Sequence, residues 1–341
     1  MTDASMRFRT LGSSGLRISE LCLGTMMFGD QTSEAEAAKI AADASSRGVN
    51  IIDSADQYAN GRSEEITGRL IKDRRSAWVL ASKAGNPMAP GTLTAGQSRR
   101  HVMTACEASL KRLGTDVIDL YYVHLPDPHT PWESIVETYG LLIRHGKIRE
   151  WGLSNVRAWT IAHVSHLCDR ANIPRPAALQ PYYNLMNRQP ETEVLPAARH
   201  FGLGVVTYSP IARGVLSGKY QNNVAPAEGT RAARKDRRMM ETEWRPESID
   251  IAGKLKAYTD ARGTPLVQWA VAWVLNSGAV SSVIAGPRTF EQWAMYPGAL
   301  DYRWTPEDEA MASSLTAAGH PSTPGFTDPR YPAEGRLPIV G

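Results

Sequence analysis

Four side chains of this sequence have the functional groups needed to protonate a carbonyl oxygen: Asp53, Tyr58, Lys83 and His124. A tyrosine is a weak acid with an ordinary pKa of about 10, and a nearby ammonium group makes its proton easier to release. We expect Lys83 to act in this way on Tyr58, and Asp53 to hold Lys83 charged and correctly aimed. His124 would then orient the carbonyl by donating a hydrogen bond, while a cofactor supplied the hydride.

Each of these residues alone has an ordinary structural explanation, but their joint placement favours catalysis. Asp53, Lys83 and His124 each lie at or just past the C-terminal end of a different candidate strand. Tyr58 follows the same strand as Asp53. A parallel barrel brings such strand ends together at one mouth, where the active sites of barrel enzymes lie.

Short apolar runs alternate with helical patterns along the chain, which is typical of repeated βα units and a parallel sheet. Eight strands are enough to close a small barrel. The sequence therefore predicts an α/β fold, a (β/α)8 TIM barrel forming a single domain over 1–341. Two short extended pieces within 7–18 predict an N-terminal hairpin that caps the barrel floor. The candidate strands are 20–24, 49–53, 78–82, 117–123, 150–154, 177–181, 204–208 and 280–285.

Three Ser/Thr-x-x-Glu/Gln patterns predict helix starts, because such pairs satisfy free backbone N–H groups at the first turn. They begin at Ser33, Thr94 and Thr130, and the last has Pro131 at the predicted first helical position. Cys106 falls on the apolar stripe of the second of these helices, so we expect it to be buried and not a nucleophile.

Two segments interrupt the alternation of strands and helices. Residues 218–246 follow the seventh strand and contain a basic run over 231–238. A loop of this length in a compact barrel is usually a lid or a binding loop. Residues 319–341 are rich in proline and glycine and lack a period, which predicts an irregular C-terminal tail over the surface or the barrel mouth.

Composition narrows the possible partners. The 341 residues carry 38 basic and 35 acidic side chains, a net charge of +3, which favours neither nucleic-acid nor membrane binding. The three cysteines are far apart and the N-terminus is polar, so we expect a cytoplasmic protein without disulfides. No run of 18 apolar residues occurs, and we expect no membrane span.

Two common cofactor motifs are missing, and a metal is not expected. Neither a G-x-G-x-x-G fingerprint nor a G-x-x-x-x-G-K-[ST] loop occurs. His163 and His166 lie three residues apart on a helical pattern, a spacing compatible with metal ligation, but no cluster of further ligands accompanies them. A solvated helix face is the favoured interpretation of this pair.

Five ordered segments of the sequence resemble the aldo/keto reductase family, and the resemblance extends over nearly the whole chain. They contain the aspartate and tyrosine, the lysine strand, the histidine strand, a Ser-Asn turn and a cofactor loop. The similarity is strongest to the bacterial, long-loop branch, which is related to potassium-channel beta subunits. The segments are 48–68, 79–83, 118–127, 146–155 and 208–220.

The resemblance implies a barrel that binds NADPH or NADP+ without a Rossmann domain. By motif position, Asp53, Tyr58, Lys83 and His124 would form the catalytic tetrad. Tyr208 would stack on the nicotinamide ring, and Ser154, Asn155 and Gln180 would bind its carboxamide. The other implied cofactor contacts are Thr25, Met26, Asp53, Ser209, Pro210, Ile211, Gly214, Lys219, Arg231, Gly286, Arg288 and Gln292.

One position departs from the family pattern. An acidic residue and an asparagine commonly grip the adenine three and four positions past Gln292, where this chain has Met295 and Tyr296. We therefore expect other contacts to hold the adenine.

The sequence thus predicts an NADPH-dependent reduction of a small aldehyde or ketone to an alcohol, with Tyr58 as general acid. Substrate contacts are expected from Met27, Phe28, Tyr58 and His124, with Trp132 nearby. This apolar and aromatic set favours aromatic or medium aliphatic aldehydes. The alternative is a regulatory subunit that binds NADPH and a partner protein with little turnover. The sequence does not indicate an oligomeric state.

Overall fold

The computed structural model describes residues 6–91 and 93–333, and within them eight parallel strands close into a barrel. The strands neighbour one another in chain order, and β10 pairs with β3 to complete the ring. The predicted barrel fold and its N-terminal hairpin are confirmed. The hairpin strands are β1 (Phe8–Thr10) and β2 (Arg17–Ser19), and the barrel strands are β3 (Leu21–Gly24), β4 (Ile51–Asp53), β5 (Val79–Ala84), β6 (Ile118–Val123), β7 (Ile148–Ser154), β8 (Ala178–Gln180), β9 (Gly204–Thr207) and β10 (Val280–Ala285).

Most of the helices surround the barrel and bury one apolar face against it. In α4, for example, Ile135, Val136, Tyr139 and Leu142 are buried, and their spacing follows the helical period. The helices are α1 (Glu34–Ser46), α2 (Arg62–Ile71), α3 (Arg99–Leu113), α4 (Trp132–Arg144), α5 (Ala158–Ala171), α6 (Val194–Phe201), α7 (Arg237–Thr242), α8 (Pro246–Asp260), α9 (Leu266–Leu275), α10 (Phe290–Trp293) and α11 (Pro306–Leu315).

The hairpin closes the N-terminal end of the barrel. Leu11 and Ile18 are fully buried in the cluster of side chains that fills the barrel interior. Gly12 adopts a φ of 53°, and a Cβ there would lie 2.3 Å from the carbonyl oxygen of Gly202, just before β9. Only glycine fits this position, so the hairpin can pack tightly on the floor. The open end of the barrel is therefore the end formed by the C-termini of the strands.

The predicted capping box at Thr130 is wrong. The Thr130 hydroxyl donates a hydrogen bond to Oδ2 of Asp127 at 2.6 Å instead of capping the helix. Helix α4 begins at Trp132, with Pro131 at the N-cap and no side-chain cap. In a capping box the hydroxyl oxygen would accept from a backbone N–H, whereas here the hydroxyl donates to a charged carboxylate, which is the stronger kind of hydrogen bond.

The other two predicted helix starts have different outcomes. Helix α3 begins at Arg99, capped by Ser98, and the Thr94 hydroxyl donates to the carbonyl oxygen of Ala89 at 2.6 Å, so a start at Thr94 is wrong. The start at Ser33 is confirmed, since its side chain accepts a hydrogen bond from the first turn of α1.

The long loop and the tail contact each other at the open end of the barrel. Arg238 in α7 donates two hydrogen bonds to Asp328 of the tail, at 3.1 and 2.5 Å. The guanidinium of Arg245 lies 3.8 Å from the ring centre of Phe326. Residues 319–333 contain no helix or strand, as expected, and the rest of the predicted tail, 334–341, lies outside the described residues.

All three cysteines are buried and unpaired with one another, as expected for Cys106 from its helical stripe. Over 6–91 and 93–333, no helix has both the length and the apolar character that crossing a membrane requires.

Candidate active site

A cavity of about 520 Å³ opens at the C-terminal ends of the barrel strands. Because parallel strands end at one face of the barrel, residues far apart in sequence meet there. The cavity is lined by Asp53, Tyr58 and His124 of the predicted tetrad and by Met27 of the predicted substrate contacts. The predicted cofactor residues that line it are Thr25, Met26, Asp53, Ser154, Asn155, Gln180, Tyr208, Ser209, Pro210, Ile211, Gly214, Lys219, Arg231, Gly286, Arg288 and Gln292.

Lys83 joins the predicted tetrad from beneath the cavity. Its Nζ donates to Oδ1 of Asp53 at 2.5 Å, to the carbonyl oxygen of Ser54 at 2.6 Å and to Oη of Tyr58 at 3.3 Å. The side chain is fully buried. A buried ammonium is stable only when its charge is paired and its hydrogen bonds are made, and these three acceptors meet that requirement.

Lys83 stays charged at neutral pH. Burial acts to lower its pKa, but the charge of Asp53, with Tyr58 and the hydrogen bonds to both, outweighs burial and raises the pKa above its ordinary value. Lys83 is therefore a fixed positive charge beside the Tyr58 oxygen and not a proton donor.

The pKa of Tyr58 is raised, whereas the nearby ammonium of Lys83 alone would lower it. Burial raises the pKa of the phenol, and the charge of Lys83 opposes this rise without cancelling it. Lys83 thus acts on Tyr58 in the expected sense, but the enclosed site favours the neutral phenol more strongly. The tyrosine therefore holds its proton and is ready to donate it when negative charge develops on a bound oxygen.

His124 lies beside Tyr58 in the cavity wall. The two rings meet edge to face, with centroids 6.1 Å apart. Burial, and then the charges of Lys83 and Arg330, hold the pKa of His124 well below its ordinary value. The imidazole is therefore neutral at neutral pH and can donate one hydrogen bond. Its Nδ1 is buried without a hydrogen-bond partner among the described residues.

The turn after β4 presents Tyr58. The backbone N–H of Asp56 donates to the carbonyl oxygen of Lys83 at 3.1 Å, so the pairing of this segment with β5 continues past the strand. A 3₁₀ turn then spans Tyr58–Gly61, in which Ala59 and Asn60 have φ of 48° and 55°. Left-handed backbone costs an L residue about 1 kcal/mol, and such strain clusters at functional sites.

The predicted carboxamide residues form one hydrogen-bonded set with the tetrad. Nδ2 of Asn155 donates to the carbonyl oxygen of His124 at 3.1 Å, and Tyr208 Oη donates to Oδ1 of Asn155 at 2.8 Å. Gln180 donates to Oδ2 of Asp53 at 2.9 Å. Asn155 has a φ of 60°, a conformation that asparagine tolerates better than most residues.

Tyr208 is held from behind by a second tyrosine. Its ring stacks on Tyr182 with centroids 5.6 Å apart and an interplanar angle of 27°. The Tyr182 hydroxyl donates a hydrogen bond to the buried carboxylate of Glu243, in the segment after α7. The orientation of the Tyr208 ring in the cavity wall is thus fixed by stacking on Tyr182.

Four cations gather at another part of the cavity: Lys219, Arg231, Arg234 and Arg288. Partial burial and then the charges of the three arginines lower the pKa of Lys219. Like charges this close are unfavourable unless an anion binds among them. Gly286 lines the same cavity, and a Cβ there would meet no atom within 4 Å. Open space beside clustered cations fits the phosphate groups of a dinucleotide.

A family model described as the aldo/keto reductase family matches residues 20–315 of the chain. This protein belongs to the aldo/keto reductase family. The resemblance of its motifs is thereby confirmed, and membership supports an oxidoreductase activity.

Known proteins similar to this family member carry two kinds of name. A probable voltage-gated potassium channel subunit beta of Arabidopsis thaliana is 37% identical over 288 residues, which cover 82% of this chain and 87% of that protein. Another with the same name, from Oryza sativa subsp. japonica, is 36% identical and covers 87% and 92%. The uncharacterized oxidoreductase YrpG of Bacillus subtilis (strain 168) is 36% identical over 303 residues, covering 84% and 89%.

Two residues expected near the substrate do not line the cavity of this aldo/keto reductase family member. Phe28 is fully buried in the main core cluster, although the adjacent Met27 lines the cavity. Trp132 packs against the same core at the start of α4. Phe28 has no exposed surface, whereas Trp132 is partly exposed.

Met295 and Tyr296, which depart from the family pattern, differ in their placement. Tyr296 lines the cavity but is only 4% exposed, and its ring stacks on Trp293 with centroids 6.5 Å apart. Met295 does not line the cavity. Of the two residues at the positions where polar adenine contacts were expected from the resemblance, only the aromatic Tyr296 therefore lines the cavity, and its ring packs in the core.

Sequence reasoning missed several cavity residues, chiefly Arg213, Arg330 and Tyr331. The tail was expected near the barrel mouth, but no motif indicated which of its residues reach the cavity. Arg213 lies inside the recognised cofactor loop, and its basic side chain was the available signal.

The two histidines of the weak metal pattern lie on α5, where His163 is half-buried and His166 is exposed. Among residues 6–91 and 93–333, no group of three or more His, Cys, Asp or Glu side chains is placed to hold a metal ion.

Proposed function

We propose that this protein reduces an aldehyde or ketone to an alcohol with NADPH. The observation that carries the proposal is the position of Lys83 Nζ, 2.5 Å from Asp53 and 3.3 Å from the Tyr58 oxygen, at the base of a cavity large enough for a ligand. Asp53, Tyr58, Lys83 and His124 would act together as one catalytic group.

Each member of the tetrad has a distinct task. Tyr58 donates its proton to the carbonyl oxygen as general acid, and the adjacent ammonium of Lys83 stabilises the phenolate that remains. Asp53 keeps Lys83 charged and in place. Neutral His124 donates a hydrogen bond that orients the carbonyl oxygen toward Tyr58.

NADPH, when bound, supplies the hydride for the carbonyl carbon. We assign its carboxamide to Ser154, Asn155 and Gln180, and its nicotinamide face to Tyr208. The remaining predicted contacts would hold the phosphates and adenosine. Four clustered cations support this assignment, because a polyanion relieves their mutual repulsion.

We also propose that the chain forms one barrel domain and that loop 218–246 acts as a lid. Support comes from Arg288, whose Nη1 donates to the carbonyl oxygen of Gly229 in that loop at 2.6 Å. The same loop is tied to the tail through Arg238 and Asp328. A lid held at both sides of the cavity would exclude water while the carbonyl is protonated.

The proposal is tested by following NADPH consumption with a panel of aldehydes and ketones. Met27, Leu125 and Tyr331 give the cavity an apolar lining, so aromatic and medium aliphatic aldehydes are the first choice. We expect turnover that depends on both NADPH and substrate. A folded protein that binds NADPH but reduces no member of the panel would contradict the proposal.

A second function has a specific observation in its favour. Two similar proteins are named as probable potassium channel beta subunits. By analogy, this chain would bind NADPH and regulate a partner protein with little turnover. The same assay separates the two, since a regulatory subunit binds NADPH without consuming it over many cycles.

A further inference from the structure

The positive charge of the cavity is not confined to the cations assigned to the cofactor phosphates. Beyond the phosphate cluster of Lys219, Arg231, Arg234 and Arg288, three more arginines line the walls: Arg213, Arg238 and Arg330. The acids in the lining are Asp53 and Glu228, and Asp53 is already paired with Lys83. The lining therefore has a surplus of basic side chains, although Arg231 is already paired with Asp236, which lies outside the lining.

Arg330 carries part of this surplus at the reacting end. Its charge is among those that lower the pKa of His124, so it lies close to the group that orients the carbonyl. Its backbone N–H donates to Oδ1 of Asp328 at 2.9 Å, and Asp328 is held by Arg238. This contact fixes the tail beside the cavity, while the Arg330 side chain remains exposed to incoming ligands.

Arg213 also lines the cavity, in the segment of the chain between Tyr208 and Lys219. Its charge acts on the phenol of Tyr58 and also on Arg231. Its Nε is buried and has no hydrogen-bond partner among the described residues. The charge of Arg213 also acts on the buried carboxylate of Glu243, whose Oε1 accepts the hydrogen bond of Tyr182. Arg213 and Glu243 form no ion pair in the described part of the chain, and Oε2 of Glu243 has no hydrogen-bond partner there.

Arg238 adds little free charge, because it already pairs with Asp328 and Glu241. The surplus thus rests on Arg213 and Arg330. Arginine suits carboxylate and phosphate groups because its planar guanidinium donates two parallel hydrogen bonds.

We propose that the preferred substrate is a carbonyl compound that carries an anionic group, a carboxylate or a phosphate, bound by Arg330 with Arg213. The proposal rests on the carbonyl reduction proposed above. The apolar lining would receive the carbon skeleton between the carbonyl and the anion. A charged hydrogen bond of this kind changes affinity by about 10- to 100-fold.

Three benzaldehydes test the proposal: 4-carboxybenzaldehyde, 4-formylphenyl phosphate and the neutral methyl 4-formylbenzoate. kcat/KM for each is measured with NADPH for the original protein and for Arg330→Gln, Arg330→Lys and the exposed control Arg303→Gln. Comparing each substrate between variants cancels its intrinsic reactivity. The two anionic aldehydes show whether carboxylate or phosphate is preferred.

We expect Arg330→Gln to lower kcat/KM for at least one anionic aldehyde by about 10- to 100-fold, mainly through KM, and to change the neutral ester less than about twofold. Arg330→Lys should recover part of the loss, and Arg303→Gln should change nothing. An equal loss on all three substrates, or no loss on any, would overturn the proposal. Failure of the original protein to reduce even the neutral ester would instead count against the carbonyl reductase function.

Arg213→Gln tests the second arginine separately, with KM for NADPH measured in the same series. We expect the ratio of anionic to neutral kcat/KM to fall. A higher KM for NADPH with an unchanged ratio would overturn the assignment of Arg213 to the substrate and place it with the cofactor phosphates.

Discussion

Gln180 donates a hydrogen bond from Nε2 to Oδ2 of Asp53 across 2.9 Å. The other carboxylate oxygen of Asp53 accepts from Lys83, so both oxygens of this buried group are satisfied. A residue predicted to bind the cofactor is thereby joined directly to the predicted tetrad. A substitution of Gln180 is therefore expected to affect Asp53 and, through it, the tetrad.

We predict that Gln180→Leu lowers both stability and rate. The variant leaves Oδ2 of Asp53 buried without its donor, which costs about 1–3 kcal/mol of the free energy of unfolding. We expect kcat to fall as well, because Asp53 then holds Lys83 less firmly. Urea unfolding and steady-state kinetics measure the two effects, with the exposed Gln221→Leu as control. Unchanged stability would show that this hydrogen bond does not support the tetrad.

We predict that Arg288→Ala weakens the binding of NADPH and leaves the binding of NADH nearly unchanged. A guanidinium contact with the 2′-phosphate contributes roughly 1.5–3 kcal/mol, and NADH lacks that phosphate. Fluorescence titration with both cofactors measures the difference, and Arg303→Ala serves as control. Arg288 also holds Gly229 of the long loop, so equal weakening of both cofactors would assign it to the loop and not to the phosphate.

We predict that Asp56 makes the protein less stable as the pH rises. Burial, and then the charge of Glu64, raise the pKa of Asp56 to about 7, against about 3.9 for an unfolded chain. The folded state therefore binds the proton more tightly. The stabilisation that this proton gives the folded state is complete below about pH 4 and is lost as the pH rises through about 7.

Asp56→Asn should remove this dependence. The free energy of unfolding, measured with urea between pH 5 and 8, should fall less steeply with pH in Asp56→Asn than in the original protein. The exposed Asp30→Asn should keep the original slope. The same slope in all three proteins would mean that Asp56 titrates normally.

We predict that Met295→Glu combined with Tyr296→Asn increases the affinity for NADPH and slows its release, by restoring polar adenine contacts. The structure adds a cost, because the Tyr296 ring packs on Trp293 in the core, so the melting temperature should fall. Stopped-flow release of NADPH is the measurement. Tyr296→Phe keeps the ring and should release NADPH at the original rate. Unchanged or weaker binding by a folded double variant would contradict this account.

The barrel could be predicted from the sequence because its strands are short apolar runs that end in polar residues. Asp53 and Lys83 can be recognised in this way, since a charged residue at the C-terminal end of a buried strand has few explanations. Helix starts were less certain, because Thr130 had two possible partners and only the folded chain places Asp127 beside it.

The net pKa of Tyr58 and the tail residues of the cavity could not be predicted. The first depends on a balance between burial and the charge of Lys83 that only the folded site determines. Arg330 reaches the cavity because Arg238 binds Asp328, a contact between segments 90 residues apart that no local pattern encodes. Phe28 and Met27 are adjacent, yet only the folded turn after β3 decides which one faces the cavity.

The rate of carbonyl reduction by Tyr58→Phe tests the central claim most directly. The change removes the proposed acid and keeps the ring, so we expect kcat to fall on the order of 10²-fold or more while the Kd for NADPH stays unchanged. Tyr258→Phe, whose hydroxyl contacts Asp308 away from the cavity, should keep full activity. Near-normal turnover by a correctly folded Tyr58→Phe protein would contradict the account.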